Sequence, residues 1–346
     1  MIFPGPLSVV QQHRSQKFYY IFNLINGLSY MCLGETVIIL LAVKIKSSDA
    51  IVAVLGSMSF FGYLMLPLGK KLTSHVGAVK TQAICWVLRN ISALIVASSA
   101  IFYWLNLTVP AIFLLLGGAW LFYGFRSAGV VMSQPLVGDI AAEKERGRVL
   151  AISNALFFGS CLLALLGITL LLQRNQSIWI LVGVIAFGAM CGIFASAVFY
   201  RVDETAALRD SAGKALGADF HYAVRSPSLR KQICAVFFVN LGTILLLPIS
   251  ILALKRGYAL NDFEILKFAL LQFGTSSLMS LLTGRLSRHI APEKILLGAY
   301  AALLMPVLFW LFAPGQYVFW YFVPLWGIAG AATVSATNAA THYFLQ

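Results

Sequence analysis

The sequence predicts an all-α, polytopic transmembrane helical bundle, and three observations carry that prediction. Of 346 residues, 60% are hydrophobic and only 11% are charged, against roughly 45–50% and 25% in an average soluble domain. Mean hydropathy is +0.86, which is more apolar surface than a soluble core of this size can hide. The apolar residues also fall into ten long blocks, at 18–43, 50–68, 81–104, 109–137, 149–172, 177–200, 232–254, 263–283, 294–312 and 317–342. Each approaches the roughly 20 residues a helix needs to cross a bilayer. A soluble enzyme and a disordered chain are excluded on these grounds.

The elements follow in chain order. The first 17 residues carry His13, Arg14 and Lys17 and lack the 7–15-residue apolar core of a cleaved signal peptide. Residues 1–17 therefore read as a polar N-terminal segment, and the first span as one that stays. Six spans make an N-terminal bundle over 18–200. A polar loop at 201–231 links it to a second bundle, 232–346, with four spans. Cys32, Cys85, Cys161, Cys191 and Cys234 all lie in apolar runs, unpaired by spacing with one another or with histidine. They read as small core residues, and no disulfide framework or metal site is expected.

The net charge of +13 would suggest nucleic acid in a soluble chain. With the N-terminus inside, however, 17 Lys and Arg fall on inside segments and five on outside ones. That is the positive-inside bias of a membrane protein, so nucleic acid is not expected as a partner. The expected location is the cell (inner) membrane, with a cytoplasmic N-terminus.

An internal repeat accompanies this layout. Leu40-Leu41-Ala42-Val43-Lys44 ends the first span and Ile251-Leu252-Ala253-Leu254-Lys255 ends the seventh, 211 residues later. Asp49 and Asp262 follow at a separation of 213. The loops GKKLTSHVGAVK (69–80) and GRLSRHIAPEK (284–294) place Leu72 and Leu286 214 apart. The pairing of span one with seven and two with eight describes a parallel repeat of two pseudo-symmetric halves.

On these residues the chain resembles the major facilitator superfamily. Gly69, Leu72, Gly77 and Lys80, and again Gly284, Arg285 and Arg288, are similar to that family's loop signature G-x-L-x-D-R-x-G-R-K. Pro135, Asp139 and Arg146-Gly147-Arg148 resemble its continuation after span four. Ser74 and Arg288 stand where the signature has aspartate, and Ala291 stands for the second glycine. The resemblance implies two six-helix bundles that rock about a central site. It also implies twelve spans, so two beyond the ten visible are expected after Gln346.

Charged residues are rare in a bilayer core and tend to face a cavity or a partner. Arg126, near the middle of span four and sharing a helical face with Tyr123, is the leading solute-binding candidate. Glu35 is a carboxylate deep in span one and the candidate for coupling to a proton. Asn26 and Tyr30 (with Asn23) on span one, Asn240 and Thr243 on span seven, and Gln272 on span eight are neutral candidates for the wall. Asn338, with Tyr317, Tyr321 and Ser335, marks a stripe on span ten. Arg89 on span three reads as structural, and Lys267 as a snorkelling cation. The histidines, His13, His75, His221, His289 and His342, all lie at or beyond the cytoplasmic ends of the spans, and neither G-x-x-x-x-G-K-[ST] nor H-E-x-x-H occurs. ATP-driven transport, enzymatic activity and cofactors are therefore not expected. The expected function is secondary active transport, by symport, of a small organic anion or sugar-like acid, coupled to protons rather than sodium by a monomer among membrane lipids. A non-transporting sensor or scaffold and a lipid translocase are the alternatives.

Overall fold

The computed structural model describes residues 1–175, 177–214, 221, 224–227, 229–234, 236–237, 250–251, 253–254, 257–260 and 262–344, with the side chains of Glu35, Asp49, Ala53, Asp262, Phe263, Leu266 and Phe344 outside the description. Among the described residues, eight helices are long and apolar enough to cross a membrane, and they follow predicted spans one to six, nine and ten. The seventh predicted span lies largely outside the described residues. The eighth is a 25-residue helix, Asp262–Leu286, made more polar by Glu264, Lys267, Gln272 and Arg285. The chain divides into two compact units, Met1–Glu143 with Leu163–Gly213, and Lys144–Leu162 with Lys214–Gln346.

In the first unit, α1 (Val9–Cys32) begins well before the predicted span. Ser8 explains the early start. Its hydroxyl accepts from the Gln11 amide at 3.4 Å while the Gln11 side chain accepts from the Ser8 amide at 2.8 Å, a reciprocal cap. Span one is not the continuous helix the apolar run predicts. It breaks at Leu33–Gly34 and restarts as α2 (Glu35–Lys44), because Gly34 is extended, with ψ 161. Glu35 is therefore the first residue of a new helix.

Span two is α3 (Asp49–Phe61), a tighter turn at Gly62–Met65, and α4 (Leu66–Val76), which carries helix through most of what reads as a loop in the sequence. Gly77, with φ 95, ends it. Then come α5 (Ala78–Trp104) and α6 (Thr108–Val130). The fourth predicted span also divides, and α7 (Ser133–Ile140) follows α6 after a break at which Pro135 has no amide to donate back. Helix α8 (Arg146–Arg174) leads to α9 (Ile178–Phe199) and the short α10 (Ala206–Ala212). Helix α5 packs along α6 and α9, and α1 along α9. A Cβ at Gly62 would lie 2.6 Å from the Tyr123 carbonyl oxygen, and one at Gly69 would overlap the Ala128 carbonyl. Both glycines let the second span press its backbone against α6.

The N-terminal face of this unit is fastened by residues just beyond α9. Glu204–Thr205 (β2) pairs in parallel with Ile2–Phe3 (β1). The Asp139 carboxylate accepts from the Thr205 amide at 2.9 Å and hydroxyl at 2.6 Å. Helix α5 has no cap from its own N-cap residue, Gly77. Glu204 replaces it, accepting from the amides of Ala78 at 2.6 Å and Val79 at 3.1 Å, so an anion sits at the positive end of the helix.

The second unit holds the first half of α8 with α11 (Asp262–Leu286), α12 (Pro292–Ala302), α13 (Met305–Leu311) and α14 (Phe319–Phe344). The ninth predicted span is thus divided between α12 and α13, where Pro306 interrupts the amide ladder. Helix α14 packs along α11 and α12. Toward its start the core is aromatic, with Phe268, Phe322 and Trp326 buried and the Phe268 and Trp326 rings stacked at 5.7 Å. Toward its end it is a polar seam. Ser276 donates to the Gly330 carbonyl at 3.0 Å, and Asn338 donates to Ser280 at 3.0 Å. Ser277 and Ser280 each donate at 2.8 Å to carbonyls of α8, those of Ala155 and Ala151. Asn154 donates to the Asn338 side-chain oxygen.

Burial pushes the Glu204 carboxyl above the ordinary carboxylate range, helped by Asp139 and opposed by the two capping amides and the Met1 ammonium. A raised folded-state pKa means that the folded protein holds the proton more tightly. Its contribution to stability is full below the unfolded value of about 4.3 and is lost as pH climbs through the folded value. Thermal denaturation in detergent is expected to show wild type losing stability relative to Glu204→Gln as pH rises from about 4.5 toward neutrality. A pH-independent difference would overturn the assignment.

Candidate functional site

Three helices of the first unit bring together a cluster of polar and charged side chains in the middle of its apolar packing. From α1 come Asn26, Ser29 and Tyr30, from α5 Trp86, Arg89 and Asn90, and from α6 Phe122 and Arg126. Asn26 and Tyr30 are one helical turn apart and so share a face of α1, as do Trp86, Arg89 and Asn90 on α5.

The centre of the cluster is Arg89, only 1% exposed. One of its terminal nitrogens, Nη2, donates to the Ser29 hydroxyl at 3.2 Å and to the side-chain oxygens of Asn26 and Asn90, each at 3.4 Å. Its guanidinium carbon lies 4.7 Å from the centre of the Trp86 ring and 5.7 Å from that of Phe122. Among the described residues its Nε has no hydrogen-bond partner. The Asn26 oxygen is shared, since Trp86 Nε1 also donates to it at 3.0 Å. The Asn90 amide in turn donates to the Trp86 carbonyl at 2.6 Å.

Small residues make room for these groups. A Cβ at Gly129 on α6 would sit 2.5 Å from the Trp86 ring, and one at Gly192 on α9 would overlap the Asn90 amide. One turn earlier Gly188 meets Cys32 and Leu33, so α9 uses one glycine for apolar packing and the other to admit a polar side chain.

Arg126 sits at the edge of the cluster, half-buried, with its guanidinium carbon 4.9 Å from the Tyr30 ring centre. It acts on Arg89 as a like charge. Among the described residues neither arginine forms an ion pair. The acceptors around Arg89 are neutral oxygens and ring faces, which offset part of the cost of a buried cation but do not neutralise it. The cluster can therefore stabilise an added negative charge.

The structure gathers three of the sequence-derived site residues, Asn26, Tyr30 and Arg126, and adds Arg89, Trp86, Ser29 and Asn90, while Tyr123 is buried in the apolar core beside Phe122. Arg89 was visible in the sequence as a mid-span charge and read as structural. What that reading missed is that its partners are the same Asn26 proposed for the binding wall. Asn23 is turned to its own helix, donating to the Tyr19 carbonyl at 2.8 Å.

In the second unit Asn338 is 3% exposed and bonded to Asn154 and Ser280, so its amide is engaged between helices. Gln272 lies where α11 and α14 touch, its carbonyl oxygen 2.5 Å from a Cβ at Gly330. Tyr321 donates to the Phe309 carbonyl at 2.7 Å. Lys267 is exposed, 5.8 Å from the Phe319 ring centre, as a snorkelling cation would be. Asn240, Thr243 and the Glu35 side chain lie outside the described residues. Of the loop-signature residues, Gly77 forms the turn into α5, Leu72 is on α4, and Gly284 packs on Ala151, while Lys80, Arg285 and Arg288 are exposed.

Comparison with known proteins places this geometry. A profile of the Major Facilitator Superfamily matches residues 19–345. Similar solved structures include the proton:xylose symporter XylE bound to 6-bromo-6-deoxy-D-glucose, at 14% identity and a TM-score of 0.60, covering 97% of this chain and 87% of that one. The xylose transporter XylE from E. coli in a partially occluded inward-open conformation gives 14% identity and a TM-score of 0.59 over 97% and 89%. The human organic anion transporter MFSD10 gives 15% identity and a TM-score of 0.57 over 96% and 91%. No curated protein sequence matches. At such identities the likeness establishes the fold and leaves the solute to the site.

Asn26→Leu removes the acceptor that Trp86 and Arg89 share, and an unmet buried donor costs about 1–3 kcal/mol. Denaturation in detergent is expected to show a loss in that range. Asn23→Leu, which breaks only a bond within α1, is expected to cost roughly 1 kcal/mol or less. Equal losses would show that the shared oxygen is not what holds the cluster.

Proposed function

The chain belongs to the Major Facilitator Superfamily, and from that premise we propose that it moves a small organic anion by alternating access, driven by the proton gradient. Membership makes it a multi-pass membrane transporter and not an enzyme. The observation that carries the choice of solute is the pair of guanidinium groups, Arg89 and Arg126, placed in apolar packing with neutral acceptors alone among the described residues. Arg126 is the more accessible of the two and takes the role of contacting the solute. Arg89, held by Asn26, Ser29 and Asn90, raises the local positive potential. Tyr30 supplies the apolar and hydroxyl wall beside Arg126.

Glu35 is the coupling group in this reading. It opens α2 where span one breaks, and backbone interruptions at membrane depth recur where transporters bind ions and solutes. Protonation of a carboxylate on the solute-binding half of the chain would change its charge by one unit, which is what coupling to a proton requires. The seam between α8 and helices α11 and α14 suits a surface that opens and closes. Its bonds run from Ser277, Ser280 and Asn154 to carbonyl and side-chain oxygens, and water can replace each of them. The cytoplasmic N-terminus rests on the charge bias of the loops, and the inner-membrane location and the monomeric state belong to the same proposal.

Uptake by reconstituted vesicles under an imposed proton gradient tests this. Arg126→Gln is expected to lower kcat/KM for organic anions by roughly tenfold or more, the equivalent of one charge-assisted bond, while leaving neutral sugars unchanged. Glu35→Gln is expected to keep solute exchange and lose gradient-driven accumulation. Undiminished uptake of every tested anion by Arg126→Gln would remove the anion site, and the absence of any gradient-driven flux would remove transport itself.

A further inference from the structure

A groove of about 390 Å³ lies in the second unit between α11, α12 and α14. Its floor is made of small residues, Gly298 on α12 and Ala331 and Ala332 on α14, and its walls include Ile295 and Ile328. Among the described residues two of its lining side chains are polar, Lys294 and Ser335. Ser335 is already engaged, donating to the Ala331 carbonyl at 2.9 Å and lying 3.0 Å from the Thr283 hydroxyl. Away from Lys294 at one end, the described lining leaves no side chain free to bond a soluble solute, which favours hydrocarbon along the groove.

The dimensions narrow the choice. From Lys294 to Ala302 the lining follows α12 for eight residues, about 12 Å at 1.5 Å per residue. That length, lined by small and branched apolar side chains, suits an extended acyl chain. The charged end of the groove adds the second requirement. Lys294 lines the groove in the first turn of α12, and Arg285, Arg288 and His289 are exposed on the adjoining segment, with Glu293 the single carboxylate there. The balance is positive, and a lysine ammonium beside a membrane groove complements a phosphate.

We infer that this groove holds an anionic phospholipid, one acyl chain along α12 and the phosphate at Lys294. The site is separate from the arginine cluster of the first unit and does not depend on the solute proposed for it. Two variants separate the contributions. A Cβ at Gly298 meets nothing within 4 Å, so Gly298→Leu fills the groove, and leucine favours helix over glycine. Lys294→Gln removes the charge at an exposed position.

The purified chain in maltoside micelles is titrated with dioleoylphosphatidylglycerol, dioleoylphosphatidylcholine or inorganic phosphate, and thermal stability is followed. Wild type is expected to be stabilised more by phosphatidylglycerol than by phosphatidylcholine, and not by phosphate. Lys294→Gln is expected to lose the excess and keep the phosphatidylcholine response. Gly298→Leu, with unchanged helix content by circular dichroism, is expected to lose both. Equal response of wild type to the two lipids, an undiminished response in Gly298→Leu, or full stabilisation by phosphate alone would each overturn the inference. So would a change of oligomeric mass in Gly298→Leu, which would mean that a second copy fills the groove.

Discussion

In hydrocarbon every polar group must find its partner inside the protein, and the rest of this structure depends on that constraint. Helix satisfies the backbone, and the side-chain hydroxyls obey the same rule locally. Ser92, Ser99, Ser153, Thr169 and Ser196 each return a hydroxyl to a carbonyl three or four residues earlier on their own helix. Where the helix stops, something else must serve, and Glu204 does so for the opening amides of α5. Departures from the rule then stand out. The largest is Arg89, a full charge among oxygens that carry none.

The same constraint explains why glycine is distributed as it is. Helices that exchange few hydrogen bonds hold together by close backbone approach. Gly62 and Gly69 bring span two against α6, while Gly129 and Gly192 open just enough volume for Trp86 and Asn90. The two uses differ in consequence. The first pair fixes where helices cross, and the second decides that polar groups rather than methyl groups occupy the space between them.

Much of this was legible in the sequence, and what was not has identifiable causes. Hydropathy finds a span because the bilayer's demand is for about 20 apolar residues in a row, and predicted spans one to six, nine and ten have their counterparts in the described helices. Hydropathy cannot see a break that costs no apolar residue. Leu33–Gly34 and Val131–Met132 before Pro135 lie within apolar runs, so hydropathy passes over them although a glycine and a proline mark the breaks. Nor does spacing along one helix reveal partners on another. Arg126 and Tyr123 share a face of one helix, but the partners of Arg126 and Arg89 lie on α1, at Tyr30 and at Asn26, 63 positions before Arg89. Asn338 on α14 illustrates the reverse. Its type and position suit a binding wall, and its amide is taken up by Ser280 and Asn154.

The cap on α5 also sets an order of assembly. The Ala78 amide donates its hydrogen bond to Glu204, 126 residues further along the chain. During synthesis the third span emerges with its first amides uncapped, and they stay so until the sixth has been made. Such a distant closure is slow to form compared with neighbouring helix pairs. Completion of the first unit therefore has a natural checkpoint at the end of α9, where one carboxylate reports that all the preceding helices are present.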